Sequence, residues 1–155
     1  MIENKPIPVL SYTSRCTNIS YVLPTTVLVE SAIELGISMK ISAIWDTGAM
    51  CSLIRPEVAD KLSLKPVSKQ LMSTPSGKGI TNVYLINMAL PNNAKIVNIK
   101  ALEGIPSNCD MLIGMDVITL GDFAVSNFDG CTMFSFRIPS MMPIDFHNAP
   151  FAVKE

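Results

Sequence analysis

The sequence predicts an all-β domain of barrel or sandwich type carrying two short helices, and three observations lead there. Runs rich in β-branched and apolar residues recur along the chain, separated by Gly, Pro, Asn and Asp punctuation. Only two segments read as helical, and both are short. The 155 residues, 48% hydrophobic and 16% charged, suit one domain that buries a core and argue against disorder.

Taken in order, residues 1–20 have weak periodicity and are expected to form an N-terminal arm. The domain itself is expected over 21–138 and a Pro-containing tail over 139–155. "YVLPTTVLVESAIEL" and "ISMKISAIW" read as strands joined by a turn at Glu34-Leu35-Gly36. "CSLI" is a further short strand. "RPEVADKLSL" reads as a helix with Pro56 in its first turn and Glu57 favourably near its N-terminus. "SKQLMSTPSGKGITNVYLINMAL" reads as two strands around a mobile tip at Thr74-Pro75-Ser76-Gly77-Lys78-Gly79. "NAKIVNIKALEGI" is the next strand, entered through Pro91-Asn92-Asn93. "CDMLIGMDVITLGDFAVSN" runs from a short strand into a brief helix ending near Gly121 and then another strand, which Asp129-Gly130 turns back into "CTMFSFRI". Pro139, Pro143 and Pro150 make the last segment an extended tail.

Composition narrows the function classes. A formal net charge of −1 gives no reason to expect nucleic acid or an anionic membrane as partner. The N-terminus, broken by Pro6 and Pro8, lacks the pattern of a signal peptide, and no stretch approaches the roughly 20 apolar residues of a membrane span. A cytoplasmic location follows as the expectation. Cys16, Cys51, Cys109 and Cys131 are scattered without a CxxC pair, and His147 is the one histidine. We therefore expect four reduced thiols, no structural metal and no cofactor, and for the same reason an idle sequon at Asn18-Ile19-Ser20. The ten methionines read as core filling.

One stretch carries chemistry. In "AIWDTGAMCSLI" an acid, Asp46, sits among apolar residues, where it is costly unless well hydrogen-bonded or functional. Gly48 permits a sharp turn after it. Alone, Asp46 reads as a turn-capping acid between buried strands. Asp46-Thr47-Gly48-Ala49 is followed, further along, by Leu112-Ile113-Gly114 just before the second helix, with the hairpin between them. This ordered set, and the phrase "DMLIGMDVITLGDFAVSN", resembles the retropepsin-like aspartic proteases, in particular their cellular and bacterial branch. The resemblance covers roughly residues 24–138.

The resemblance implies a single-lobe closed β-barrel that dimerises. Asp46 would be catalytic, on a turn supported by Thr47, Gly48 and Ala49. Leu112, Ile113 and Gly114 would lie under the active site, and Thr74, Pro75, Ser76, Gly77, Lys78 and Gly79 would form a flap over the substrate. The chemistry needs two carboxylates in contact sharing one proton. None of the other aspartates, Asp60, Asp110, Asp116, Asp122, Asp129 or Asp145, is followed by Thr/Ser-Gly. Two-fold symmetry would supply the second copy, with Thr47 gripping the partner's backbone.

Departures from the retroviral pattern concern the outer site. Where those proteases carry an acid after the DTGA turn and an Arg after the later glycine, this chain has Met50 and Met115. Both charges are absent together, so none is stranded. Other readings are weaker. The Ser76–Gly79 tip is no phosphate loop, because Met72 and Gly79 stand where Gly and Ser/Thr are needed. Trp45 reads as packing. His147 and Cys51 lack sequence neighbours suited to a cysteine protease. Two function classes remain: a homodimeric endopeptidase acting on a peptide or protein, and a retropepsin-like binding or dimerisation module with little turnover. The intact Asp46-Thr47-Gly48 favours the peptidase, since a binding domain has no need of that acid.

Overall fold

Alternation of buried and exposed side chains builds the first hairpin. Thr25, Val27 and Val29 are buried on β2 (Leu23–Ser31), and Ile41, Ala43 and Trp45 on β3 (Ser38–Trp45). A period of two puts each set on one face, and the strands pair antiparallel from Leu23 opposite Trp45 to Glu30 opposite Ser38. The computed structural model describes residues 8–34, 36–74 and 77–147. Leu35 of the expected turn, Pro75 and Ser76 of the expected flap, and the ends 1–7 and 148–155 lie outside the described residues.

Beyond β3 the chain forms β4 (Leu53–Ile54), α1 (Pro56–Lys61), β5 (Ser68–Thr74), β6 (Gly77–Ala89) and β7 (Lys95–Glu103). Then come β8 (Met111–Ile113), α2 (Met115–Ile118), β9 (Asp122–Ser126) and β10 (Met133–Ile138). Among the described residues the order β2-β3-β8-β4-β7-β6 closes on itself, because β6 also pairs with β2 from Leu28 opposite Ala89 to Ser31 opposite Ile86. That closure makes a barrel and removes its free edges. The two expected helices are present and short. Val58 and Ala59 of α1, and Val117 and Ile118 of α2, are buried against the barrel.

β5 stands outside the ring and, among the described residues, pairs only with β6. The outer part of β6, Gly77–Ile80, is exposed, whereas Val83, Tyr84, Ile86 and Met88 are buried. The hairpin therefore projects from a core-anchored base into solvent. Its ladder continues to Thr74 opposite Gly77, so Thr74, Gly77, Lys78 and Gly79 belong to strands. These four residues of the expected 74–79 tip are in strands because cross-strand pairing prevails over the local loop propensity of Gly.

Residues 1–20, expected as an arm, contain β1 (Leu10–Arg15), which pairs with β10. β9 pairs with the other edge of β10, giving a three-stranded sheet β1-β10-β9. Aromatic side chains fasten this sheet to the barrel. Trp45 meets Phe136, Phe134 and Phe123 with ring centroids 4.8, 5.1 and 5.9 Å apart. Its indole N–H donates to Thr25 Oγ1 at 2.9 Å, which satisfies the buried polar end. No helix among the described residues is long and apolar enough to cross a membrane.

Candidate active site

The Asp46 turn is made by strand crossing. β3 runs parallel to β8, with Trp45 opposite Ile113, and the Asp46 N–H extends that ladder by donating to the Ile113 carbonyl at 2.9 Å. The chain then passes over the end of β8 and returns on its other side as β4, antiparallel to β8 and parallel to β7. Asp46-Thr47-Gly48-Ala49 and Leu112-Ile113-Gly114, far apart in sequence, are thus brought together.

The turn is fixed within and from beneath. The Gly48 N–H donates to Asp46 Oδ1 at 2.8 Å, holding the carboxylate by its own turn, and the Ala49 N–H reaches the Asp46 carbonyl at 3.3 Å. From α2 the Met115 N–H donates to the Ala49 carbonyl at 2.8 Å and the Asp116 N–H to the Met50 carbonyl at 3.2 Å. A Cβ at Gly114 would lie 2.7 Å from the Cys51 carbonyl carbon and 2.9 Å from the Ala49 oxygen. Glycine is required there by space.

Ser52 is the contact that sequence reasoning missed. It is fully buried, accepts from the Gly114 N–H at 3.1 Å and donates to Asp116 Oδ1 at 2.8 Å. Its carbonyl accepts from the Leu102 N–H at 2.9 Å, tying in β7. One small hydroxyl residue therefore joins the Asp46 turn, the Gly114 turn, α2 and β7. A polar residue in the apolar run "CSLI" was the available signal.

Asp46 is partly exposed, and Thr47 and Met50 are exposed. Asp46 and Thr47 line a cleft of about 420 Å³ together with Tyr21, Val22, Leu23, Ile44, Trp45, Phe123 and Val125. The hairpin residues Gly77, Lys78 and Gly79 do not line it. At the hairpin's base lies a polar knot that the sequence did not announce. Thr81 Oγ1 donates to the Glu103 carbonyl at 2.6 Å, and Asn82 Nδ2 and the Tyr84 hydroxyl donate to Glu103 Oε2. Burial, helped by the Glu103 hydrogen bond, pushes Tyr84 up to about 12, so it remains a donor at any ordinary pH.

A family model described as aspartyl protease matches residues 33–117, more than half of the chain and including both turns. The chain belongs to the aspartyl protease family, and its fold is retropepsin-like. A retropepsin-like aspartic protease from Rickettsia conorii superposes with a TM-score of 0.52 at 16% identity, over 84% of this chain and 96% of that one. The simian foamy virus (mac) protease gives a TM-score of 0.45 at 19% identity, over 62% of this chain and 91% of that one. No curated protein matches.

Proposed function

We propose that the protein is an aspartic endopeptidase whose active site is completed by a second copy of the chain. The observation that carries this reading is Asp46 itself, a partly exposed carboxylate on a turn whose backbone is fixed from below. A structural capping acid would not require that scaffold. One such turn per chain calls for a two-fold homodimer, in which the same surface serves both subunits and Asp46 meets its own copy.

Two carboxylates that close cannot both stay ionised, so the pair holds one proton and titrates as a unit. The ionised member takes a proton from a water lying between them. The water oxygen bonds to the peptide carbonyl carbon while the protonated member hydrogen-bonds the carbonyl oxygen as it gains charge. The tetrahedral intermediate then expels the amine, which leaves with a proton from the carboxyl pair. Only the carboxylates and water take part in the bond changes. The Gly48 N–H orients the Asp46 carboxylate, and Thr47 would grip the partner's turn. The flap, residues 74–79, would close over an extended peptide and pair with its backbone. Residues 21–138 would form the protease domain, flanked by the arm at 1–20 and the tail at 139–155.

The test is cleavage of casein or a peptide library by wild type and by Asp46→Asn, with and without a statine-type transition-state mimic. Asp46→Asn is nearly isosteric but removes the base, so activity should fall at least about a hundredfold with the fold retained. Wild-type protein without inhibitor-sensitive turnover, or an Asp46→Asn protein as fast as wild type, would sink the proposal.

A further inference from the structure

At the end of the barrel away from Asp46 lies another cavity, of about 540 Å³, a size that suits a small molecule. β3 and β8 run parallel from it toward the Asp46 and Gly114 turns, and the four residues from Ser42 to Asp46 span about 13 Å. Proteolysis makes no use of this place. Its wall brings three cations together from separate positions in the chain: Lys40 of β3, Arg55 at the start of α1 and Lys61 at the end of α1. None of the three joins a salt bridge among the described residues.

Arg55 is oriented before any ligand arrives. Its Nε donates to the Cys109 carbonyl at 2.6 Å and its Nη2 to the Pro106 carbonyl at 2.5 Å. Asn108, in the loop between them, takes a φ of 60°, a left-handed turn that asparagine adopts more readily than most residues. A guanidinium presents its N–H donors in a rigid plane. The two carbonyls take the edge made by Nε and Nη2. The other edge, with one N–H from each Nη, keeps its donors, and such a fork matches two oxygens of an oxyanion. Two neutral carbonyls also leave the positive charge of Arg55 uncompensated.

The carboxylates at the cavity do not cancel these charges. Asp110 is engaged with β3, where its Oδ2 accepts from the Ser42 N–H at 2.9 Å and from the Ser42 hydroxyl at 2.8 Å. The Ser42 N–H above all, with smaller help from the Arg55 and Lys61 charges, holds the Asp110 carboxyl below the ordinary carboxylate range. Glu57 stands four residues before Lys61 on α1, yet the two form no salt bridge. Three positive charges thus meet two negative ones, and the excess is positive.

We propose that this cavity binds a small solute through a phosphate group, with the Arg55 fork on two of its oxygens and Lys40 and Lys61 on the others. Geometry favours phosphate over carboxylate. A carboxylate has only two oxygens, and the fork alone would occupy both, whereas a phosphate offers further oxygens to the two ammonium groups. The site goes beyond the proteolytic reading and does not depend on it, because Asp46 lies at the far end of β3.

Chemical shifts of isotope-labelled protein, titrated with inorganic phosphate against sodium chloride at matched ionic strength, test this. Phosphate should move the Asn108, Cys109 and Asp110 amides and the Arg55 guanidinium signals along saturable curves that share one dissociation constant. Chloride should not. Lys40→Gln/Lys61→Gln changes two exposed residues and should keep the dispersed spectrum of a folded protein. It should raise that constant at least about tenfold through the loss of two charge-assisted contacts. Malonate, a dianion with planar carboxylates, should bind more weakly than phosphate, and Asp46→Asn should bind phosphate as wild type does. Shifts that stay linear, a response matched by chloride, or an unchanged constant in the folded lysine double variant overturns the site. Malonate binding tighter than phosphate overturns the ligand class.

Discussion

A side chain at residue 114 would have to enter space that the backbone of residues 49–51 already fills. Gly114→Ala must therefore push the Asp46 turn away from β8, at a cost of about 3 kcal/mol. Ser52→Ala acts on the same spot by a different route, leaving the Gly114 N–H and one Asp116 oxygen without their buried partner. That costs about 1–3 kcal/mol. Both variants should lower the urea midpoint and, on the proposed function, reduce activity together, because the Asp46 turn rests on these contacts. Retention of wild-type stability in both would show that the turn is held elsewhere. Met50 and Met115 stand where retroviral relatives carry an ion pair. Here the backbone bonds from Met115 and Asp116 to Ala49 and Met50, with the Ser52–Asp116 bond, join the same two segments without a salt bridge.

The elements divide into those held by local chemistry and those held by distant pairing, and this division decided what the sequence revealed. The β2–β3 hairpin, α1 with Pro56 and Glu57, and the β5–β6 hairpin follow from periodicity and punctuation within a few residues. The joining of the two hallmark turns, far apart in sequence, was legible only through the family resemblance that their motifs carry. The pairing of β1 with β10, the closure of β2 on β6 and the Ser52–Asp116 bond link residues far apart in sequence, and no local pattern encodes them. The β5–β6 hairpin should exchange its amide hydrogens fastest over its outer, coreless half and slower from Val83 inward. A transition-state mimic should protect residues 77–80. Equal protection with and without it would count against a flap. On β9, the Ser140 hydroxyl, the Met141 N–H and Arg137 hold Asp122 at about 2, below its ordinary 3.8. A depressed carboxylate stabilises the fold above its ordinary value and loses that contribution as pH falls through the lower one. The anchorage of residues 140–141 should thus weaken between about pH 4 and pH 2. Side-chain carbon chemical shifts should place the Asp122 midpoint near the bottom of that window, and a midpoint near 3.8 would refute the clamp.

For the whole molecule, a site shared between two chains makes a demand that no property of one chain can imitate. If activity needs Asp46 from both subunits, an inactive subunit must poison an active one. Asp46→Asn is suited to this, because its fold and its dimer surface are expected to match wild type. Let the protein be concentrated enough to be dimeric, and let equal amounts of wild type and Asp46→Asn exchange subunits. Random pairing places only about half of the wild-type chains in fully wild-type dimers, so activity should fall to about half of its value without the variant. A ninefold excess of the variant should reduce it to about a tenth. A protease that works as a monomer would keep its full activity at every ratio, and so would one whose subunits carry independent sites. Undiminished activity with Asp46→Asn in a protein shown to exchange subunits would refute the shared site.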